Sequence, residues 1–171
     1  MKNISIIREP FILVLIGLPA SGKSIWTREF IDMYCNRFER KIAYISLAKH
    51  IDAIARAKGT TYSEEYANSV GHASAMVKYE STDALQNELN IIWDQTNLSK
   101  KKRAGILKKV PDGYQKIAVD FDVPDKVLTE RLERRAREEG KFIPKHVIES
   151  MCKSYVPVTK SEGFEIIEKV R

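Results

Sequence analysis

Cysteine is scarce. Cys35 and Cys152 are the only two in 171 residues, and neither belongs to a CxxC or to a Cys/His spacing that could hold zinc. A disulfide framework is excluded as well, and two reduced thiols fit a protein of the cytoplasm. The three histidines, His50, His72 and His146, are scattered and form no ligand pattern. The longest apolar run, Phe11–Ile16, is far shorter than the roughly 20 residues that cross a bilayer. Met1–Pro10 carries Glu9 and no small-residue cleavage site, so it does not read as a secretory signal. Repeats, low-complexity tracts and Gly/Pro/Ser linkers are also missing. The expectation is one domain over residues 1–171, with no membrane association and no signal for subunit number.

What is present is ordinary for a globular chain and supplies a core: 43% apolar residues against 30% charged. The formal net charge is +6. A cationic excess concentrates polyanions near the surface, which is compatible with a nucleic-acid partner without establishing one.

Apolar runs alternate with amphipathic stretches. Phe11–Ile16 is continuous and rich in apolar residues, as a strand buried on both faces should be. Further strands are expected at Lys41–Ser46, Leu89–Trp93 and Lys116–Phe121, and helices at about 23–35, 48–58, 100–110, 125–138 and 144–153. Thr61 with Glu64 has the spacing of a capping box and opens a helix to about Val77, with a separate short helix at Ser81–Glu88. Pro111-Asp-Gly113 is a turn signal, and Pro144 suits a first helical position. Alternation of this kind predicts an α/β fold, a mainly parallel sheet flanked by helices. Ligands then bind beyond the carboxyl ends of the strands. The segment Ser161–Arg171 carries no signal of an interface or a substrate contact.

Gly17-Leu18-Pro19-Ala20-Ser21-Gly22-Lys23-Ser24 matches the phosphate-loop pattern GxxxxGKS, and it sits between an expected buried strand and an expected helix. Gly17 and Gly22 permit backbone conformations closed to other residues, so the loop amides can turn inward onto phosphate oxygens at the positive end of the helix. Lys23 can reach the β- and γ-phosphates, Ser24 can ligate Mg²⁺, and Ile25 continues the contact surface. Asp94, at the end of an apolar strand, is placed to join the magnesium shell. These residues predict binding of ATP and Mg²⁺ and leave the acceptor open. Arg131, Arg134, Arg135 and Arg137 follow on one helix. Arg131 and Arg135 share a face, the spacing expected of a lid at about residues 125–145 that closes on a triphosphate. Glu130, Glu133, Glu138 and Glu139 equally suit a solvated, salt-bridged helix.

The order GLPASGKS, DQTNLS with KKR, FDVP, an arginine helix, and then Ile143-Pro144 leading into Met151–Tyr155 resembles the kinase domain of phage polynucleotide kinase and its small phage relatives, over about residues 11–156. The phosphatase domain attached to some members has no counterpart. The resemblance implies a P-loop NTPase-type sheet with a helical arginine-bearing lid, and transfer of the γ-phosphoryl group of ATP to a polynucleotide hydroxyl. The acceptor would be a 5′-OH end or the hydroxymethyl group of a modified pyrimidine in DNA, since similar small kinases act on 5-hydroxymethyluracil. It implies Lys23 and Ser24 as phosphate lysine and metal hydroxyl, Asp94 in the metal shell, Arg135 as lid arginine and Arg131 as its helper. The setting would be the cytoplasm, that of the host if the chain is phage-encoded. Lys100–Arg103 and Lys108-Lys109 would contact nucleic-acid phosphates, and Tyr44, Tyr62, Tyr66, Tyr79 and Trp93 are candidate stacking platforms. A small-metabolite or nucleoside kinase is the alternative.

The pattern breaks at one position. The family's general base is an aspartate just after the second strand, and its place falls on Ala48, followed by Lys49. Neither can take a proton from a hydroxyl in the usual way at neutral pH. Three readings stand open. An aspartate was exchanged for alanine; another carboxylate such as Asp52 or Glu64 serves in its place; or the chain binds nucleotide with little turnover. If position 48 is the base position, Ala48→Asp raises turnover by about ten-fold or more.

Overall fold

The computed structural model describes residues 7–38 and 41–171; the side chains of 36–38 are outside the description. The leader reading of Met1–Pro10 therefore falls mostly outside the described residues.

Five parallel strands form one sheet: β1 Phe11–Ile16, β2 Ile42–Ser46, β3 Asn90–Asp94, β4 Gln115–Phe121 and β5 Ile166–Val170. Their order is β2-β3-β1-β4-β5, with Leu15 opposite both Asp94 and Val119. Among the described residues six helices flank the sheet: α1 Lys23–Phe38, α2 Leu47–Lys58, α3 Tyr62–Gln86, α4 Lys100–Leu107, α5 Asp125–Glu139 and α6 Lys145–Ser154.

Strand periodicity explains why β1 is apolar throughout. Ile12, Val14 and Ile16 enter one core with Val77, Ala84, Ile106 and Leu107 of the covering helices. Phe11, Leu13 and Leu15 enter the other core with Trp26, Phe30 and Tyr34. The last three residues are four apart on α1, and their rings stack at centroid distances of 5.1 and 5.7 Å. Burying both faces pins β1 and, with it, the loop that follows.

Three expectations change. The helices expected at 61–77 and 81–88 are one 25-residue helix, because Ser69, Ala73, Val77, Ser81 and Ala84 keep a continuous buried stripe through the polar Lys78-Tyr79-Glu80. The helix expected at 100–110 ends at Leu107 and continues as a turn. The carboxyl end, where no element was expected, contains a 3-10 turn at Lys160–Glu162 and the edge strand β5, whose Glu168 pairs with Val119 of β4. A half-exposed edge strand lacks the apolar run of a central one, so little in its composition announces it. No helix of the described residues is long and apolar enough to cross a membrane.

Candidate functional site

β1 lies between β3 and β4, where chain order reverses, and the carboxyl ends of β1 and β3 meet at this point. The loop after β1 is built from unusual backbone. Gly22 has φ +100°, Ala20 sits at φ +64°, and Gly17 has no room for a side chain, since a Cβ there would come within 2.8 Å of Ser21 Oγ and 2.9 Å of Phe121 Cβ. The end of β1 and the start of its loop are tied to the segment after β3 by Gly17 N donating to Thr96 O (3.0 Å) and by Asn97 Nδ2 donating to Leu15 O (2.8 Å). Asn97 itself takes φ +47°, which its side-chain amide stabilises.

Lys23 begins α1 and folds back over the loop. Its ammonium donates to Gly17 O (2.9 Å), Leu18 O (2.7 Å) and Ser21 Oγ (3.4 Å), and the residue is only 8% exposed. Burial lowers its pKa from 10.5 to about 8; Asp94 opposes the shift and Arg135 adds to it. This is a buried cation whose donors are met by two loop carbonyls and a hydroxyl. Ser24 is exposed beside it.

Asp94, buried at the end of β3, accepts a 2.5 Å hydrogen bond from the Tyr44 hydroxyl of β2. Burial first, and then the Asp94 carboxylate, push the Tyr44 phenol far above its ordinary value, while the hydroxyls of Ser46 and Ser24 act the other way. Ser24, Tyr44 and Asp94 therefore share one polar pocket. Tyr44 is thus a partner of Asp94, not a free stacking surface. The signal for it was its place two residues before the end of β2, in register with Ile92.

α5 crosses opposite the loop. The Arg131 guanidinium lies 3.6 Å from where a Cβ on Gly22 would sit. Arg135, half-buried and bonded through Nε to Glu139 (3.3 Å), acts electrostatically on Lys23. Arg134 and Arg137 point to solvent, Arg134 with Glu138 at 4.0 Å. The helix therefore carries a salt-bridged outer face and has Arg131 and Arg135 on the side of the loop.

The position of the missing aspartate, Ala48, is in the first turn of α2, which Ser46 caps. Of the two substitute carboxylates, Glu64 is committed to its capping box, accepting from Thr61 N at 2.7 Å and Thr61 Oγ1 at 2.8 Å. Asp52 reaches out of α2 to Lys141 of the α5–α6 connection at 2.7 Å. Lys141 also lies over the Tyr62 ring, 5.2 Å from its centroid.

Two expected nucleic-acid contacts are corrected. Arg103 is fully buried, its guanidinium paired with Glu162 (2.8 and 2.9 Å) and donating to Asn97 O and Leu98 O, so it clamps the Asp94–Ser99 loop and cannot reach a phosphate. Lys100, Lys101, Lys102, Lys108 and Lys109 remain exposed. Trp93 is core, 6% exposed, whereas Tyr66 (45%) and Tyr79 (70%) are accessible. Arg103→Met is expected to destabilise the fold by about 3–5 kcal/mol, because the buried Glu162 carboxylate loses its cation. Thermal melting checks this, and replacing both partners by apolar residues should recover part of the loss.

The site fits a nucleoside triphosphate with magnesium. Inward-turned backbone and three cations face the loop, with a hydroxyl and a carboxylate beside them. Among the described residues no cluster of three or more metal-ligating side chains exists. Mg²⁺ keeps several waters and takes one or two protein ligands plus substrate phosphates, which the Ser24 hydroxyl and the Asp94 carboxylate on either side of Tyr44 suit.

Comparison with known proteins agrees with this geometry. The sequence matches the family described as AAA domain over residues 12–158. A kinase-assigned protein from Chloroflexus aurantiacus j-10-fl shares the fold at TM-score 0.64 and 14% identity, over 95% of this chain and 85% of that one. A gluconokinase from Sinorhizobium meliloti 1021 does so at 0.55 and 15%, over 95% and 83%. A chain of the Pnkp1/Rnl/Hen1 complex is 25% identical at TM-score 0.53 over 76% of this chain, which spans only 41% of that larger one. With a phosphate loop between β1 and α1 and a family match from residue 12 to residue 158, the chain belongs to the AAA domain family and has the P-loop kinase fold.

Proposed function

We propose that this chain is an ATP-dependent kinase that transfers the γ-phosphoryl group to a hydroxyl of a polynucleotide, with DNA the favoured acceptor. The observation that carries the phosphotransferase reading is the convergence of Lys23, Arg131 and Arg135 on one strained loop. Three cations on a glycine loop are poorly explained by packing, since their mutual repulsion is costly unless a polyanion enters. Phosphoryl transfer is mostly positioning and charge stabilisation, and these are what such a site supplies.

In this reading the amides of Gly17–Ser24 cradle the phosphates, with Ile25 on the rim. Lys23 binds the β- and γ-phosphates, and Arg135, helped by Arg131, neutralises charge on the transferring group. The α5–α6 region, about residues 125–145, acts as the lid. Ser24 and Asp94 would hold Mg²⁺, whose chemistry is to neutralise and orient phosphate oxygens.

The polynucleotide acceptor is supported by the resemblance of the motif order to the polynucleotide kinase domain, by the 25% identity to a chain of the Pnkp1/Rnl/Hen1 complex, by the +6 charge, and by the exposed lysines of α4 and its following turn. Fold likeness to a gluconokinase at 15% identity carries no acceptor with it.

The test is incubation with γ-labelled ATP and a panel: 5′-hydroxyl DNA, 5′-hydroxyl RNA, DNA containing 5-hydroxymethyluracil, and free nucleosides and sugars. Label in a polynucleotide, located by nuclease digestion, is the expected result and separates the end from the base. Label only in a nucleoside or sugar would move the chain to the metabolite kinases. ATP binding with no transfer would make it a binding module.

A further inference from the structure

If the chain transfers a phosphoryl group, something must receive the proton of the attacking hydroxyl, and the position after β2 that should do so is Ala48. The neighbouring carboxylates are almost all engaged within their own hairpin. Glu64 caps α3, Glu65 is held by Lys58 and Ser69, Glu80 by Lys49 and His50, and Asp94 by Tyr44. Asp52 differs from all of these. It stands one helical turn beyond Ala48, so the two share a face of α2. Its carboxylate leaves the hairpin and meets Lys141 across the cleft, with 28% of its side chain still open.

The surroundings place that carboxylate beside the phosphoryl machinery. Tyr62 at the start of α3 is raised to about 12 by burial, by Tyr66 and by Asp52, while Arg135 pulls it down. Lys141 Nζ also lies 3.8 Å from Glu139, whose carboxylate holds Arg135 Nε at 3.3 Å, so a run of contacts joins Asp52 to Arg135, and Arg135 in turn acts on Lys23. The connection that brings Lys141 over is itself held firmly. Ser63 Oγ donates to Gly140 O (2.9 Å) and accepts from Phe142 N (2.8 Å), and Gly140 faces Thr61 too closely for any Cβ. A hydroxyl seated between α2 and the lid arginines has Asp52 on its α2 side.

Resting on the kinase reading above, we infer that Asp52 is the catalytic base, displaced by one helical turn from position 48. As the acceptor oxygen forms its bond to the γ-phosphorus, its proton passes to an Asp52 carboxylate oxygen. The bond between the γ-phosphorus and the β–γ bridging oxygen breaks, and that electron pair leaves with ADP. The Asp52 proton then returns to solvent. Lys141 is a positioning residue that holds the carboxylate toward the cleft. The one-turn displacement leaves the space beside Ala48 to the acceptor, which suits a hydroxyl carried on a bulky group.

The experiment uses the full chain with labelled ATP and three acceptors, 5′-hydroxyl DNA, 5-hydroxymethyluracil DNA and water (ATP hydrolysis). Asp52→Asn is expected to lower kcat by about 100-fold with whichever acceptor the wild type uses. Its ATP affinity should stay within about three-fold, which also reports a folded site. Lys141→Met breaks the ion pair but keeps the carboxylate, and it should cost less than about ten-fold. Ala48→Asp in the Asp52→Asn background should recover at least about ten-fold, while in the wild type it adds little. The assignment is overturned if Asp52→Asn keeps more than about a tenth of the wild-type rate. It is equally overturned if Lys141→Met falls as far as Asp52→Asn, or if Ala48→Asp alone raises kcat by about ten-fold. A wild type that transfers neither to these acceptors nor to the RNA, nucleosides and sugars of the panel above overturns the kinase reading and this assignment together. An active wild type with an indifferent Asp52→Asn overturns this assignment alone.

Discussion

Lys23→Ala is expected to reduce phosphoryl transfer by about 10³-fold or more and to weaken ATP binding by about 10–100-fold, while leaving the fold intact. The ammonium is almost fully buried against two loop carbonyls and a hydroxyl, and it faces the loop, not either core. Its pKa of about 8 against an ordinary 10.5 means that holding the charge costs the folded chain a net amount on the order of 3 kcal/mol at neutral pH, with the opposing pull of Asp94 already included. Alanine removes that cost together with the hydrogen bonds, so the melting temperature of the free protein should not drop by many degrees. The sign of the pH dependence follows. The unfolded chain holds the Lys23 proton more tightly than the folded chain does, so wild-type stability should rise between about pH 8 and pH 10.5, and the variant should lack that rise.

The same pKa governs the ligand. Above about pH 8 the free protein presents a neutral amine, and ATP must bring a proton with it, so affinity should fall by up to about ten-fold per pH unit. Lys23→Arg, charged throughout, should remove the slope. Calorimetric titration with ATP from pH 7 to pH 10 and thermal melts over the same range check both arms. A melting temperature that collapses in Lys23→Ala, with ATP affinity unchanged, would show a structural lysine instead.

Arg135→Ala should lower kcat by about 10²–10³-fold while raising the Michaelis constant for ATP by less than about five-fold. In the free protein Arg135 and Lys23 repel each other, which is visible as the arginine's share in depressing the lysine. That repulsion is relieved when a triphosphate enters, and most fully when charge builds on the transferring group. Arg135 is half-buried and steered by Glu139, so little ordering is left to be done at the moment of reaction. Arg131→Ala, at the Gly22 end of the loop, should cost less in kcat and more in ATP affinity. Arg134, exposed and paired with Glu138 at 4.0 Å, is the control and should change either constant by less than about two-fold. Steady-state kinetics with ATP varied separate these cases. Equal losses at Arg134 and Arg135 would mean that the helix acts only as a charged surface.

The comparison of sequence and structure divides along the range of the interactions. The phosphate loop was legible because its chemistry is local. Gly17, Gly22, Lys23 and Ser24 must fall at fixed spacing between a strand and a helix, and they do. The arginine pair was legible because four residues make one helical turn, although which arginines face inward was settled by α5 packing opposite the loop. Arg103 was misread for a matching reason. In sequence it is the fourth member of a basic run, and its partner Glu162 is 59 residues away in a turn with no apolar pattern to announce it. The polar middle of α3 looked like a break because its buried stripe is made of Ser69, Ala73 and Ser81, small residues that carry little periodic signal.

The base position shows the same division. That Ala48 cannot accept a proton is a fact of composition. That Glu64 is spent on a cap and Asp52 spans the cleft to Lys141, 89 residues away, depends on where α2, α3 and the α5–α6 connection meet. By itself the sequence determined the strand–loop–helix that holds phosphate and the alternation that makes a parallel sheet, because both follow from backbone freedom and side-chain period within a few residues. Only the tertiary structure decided which cations face that loop, which carboxylate is paired across the cleft, and that residues 166–170 join the sheet as β5. Pairing energies between distant groups depend on distances that chain order does not contain.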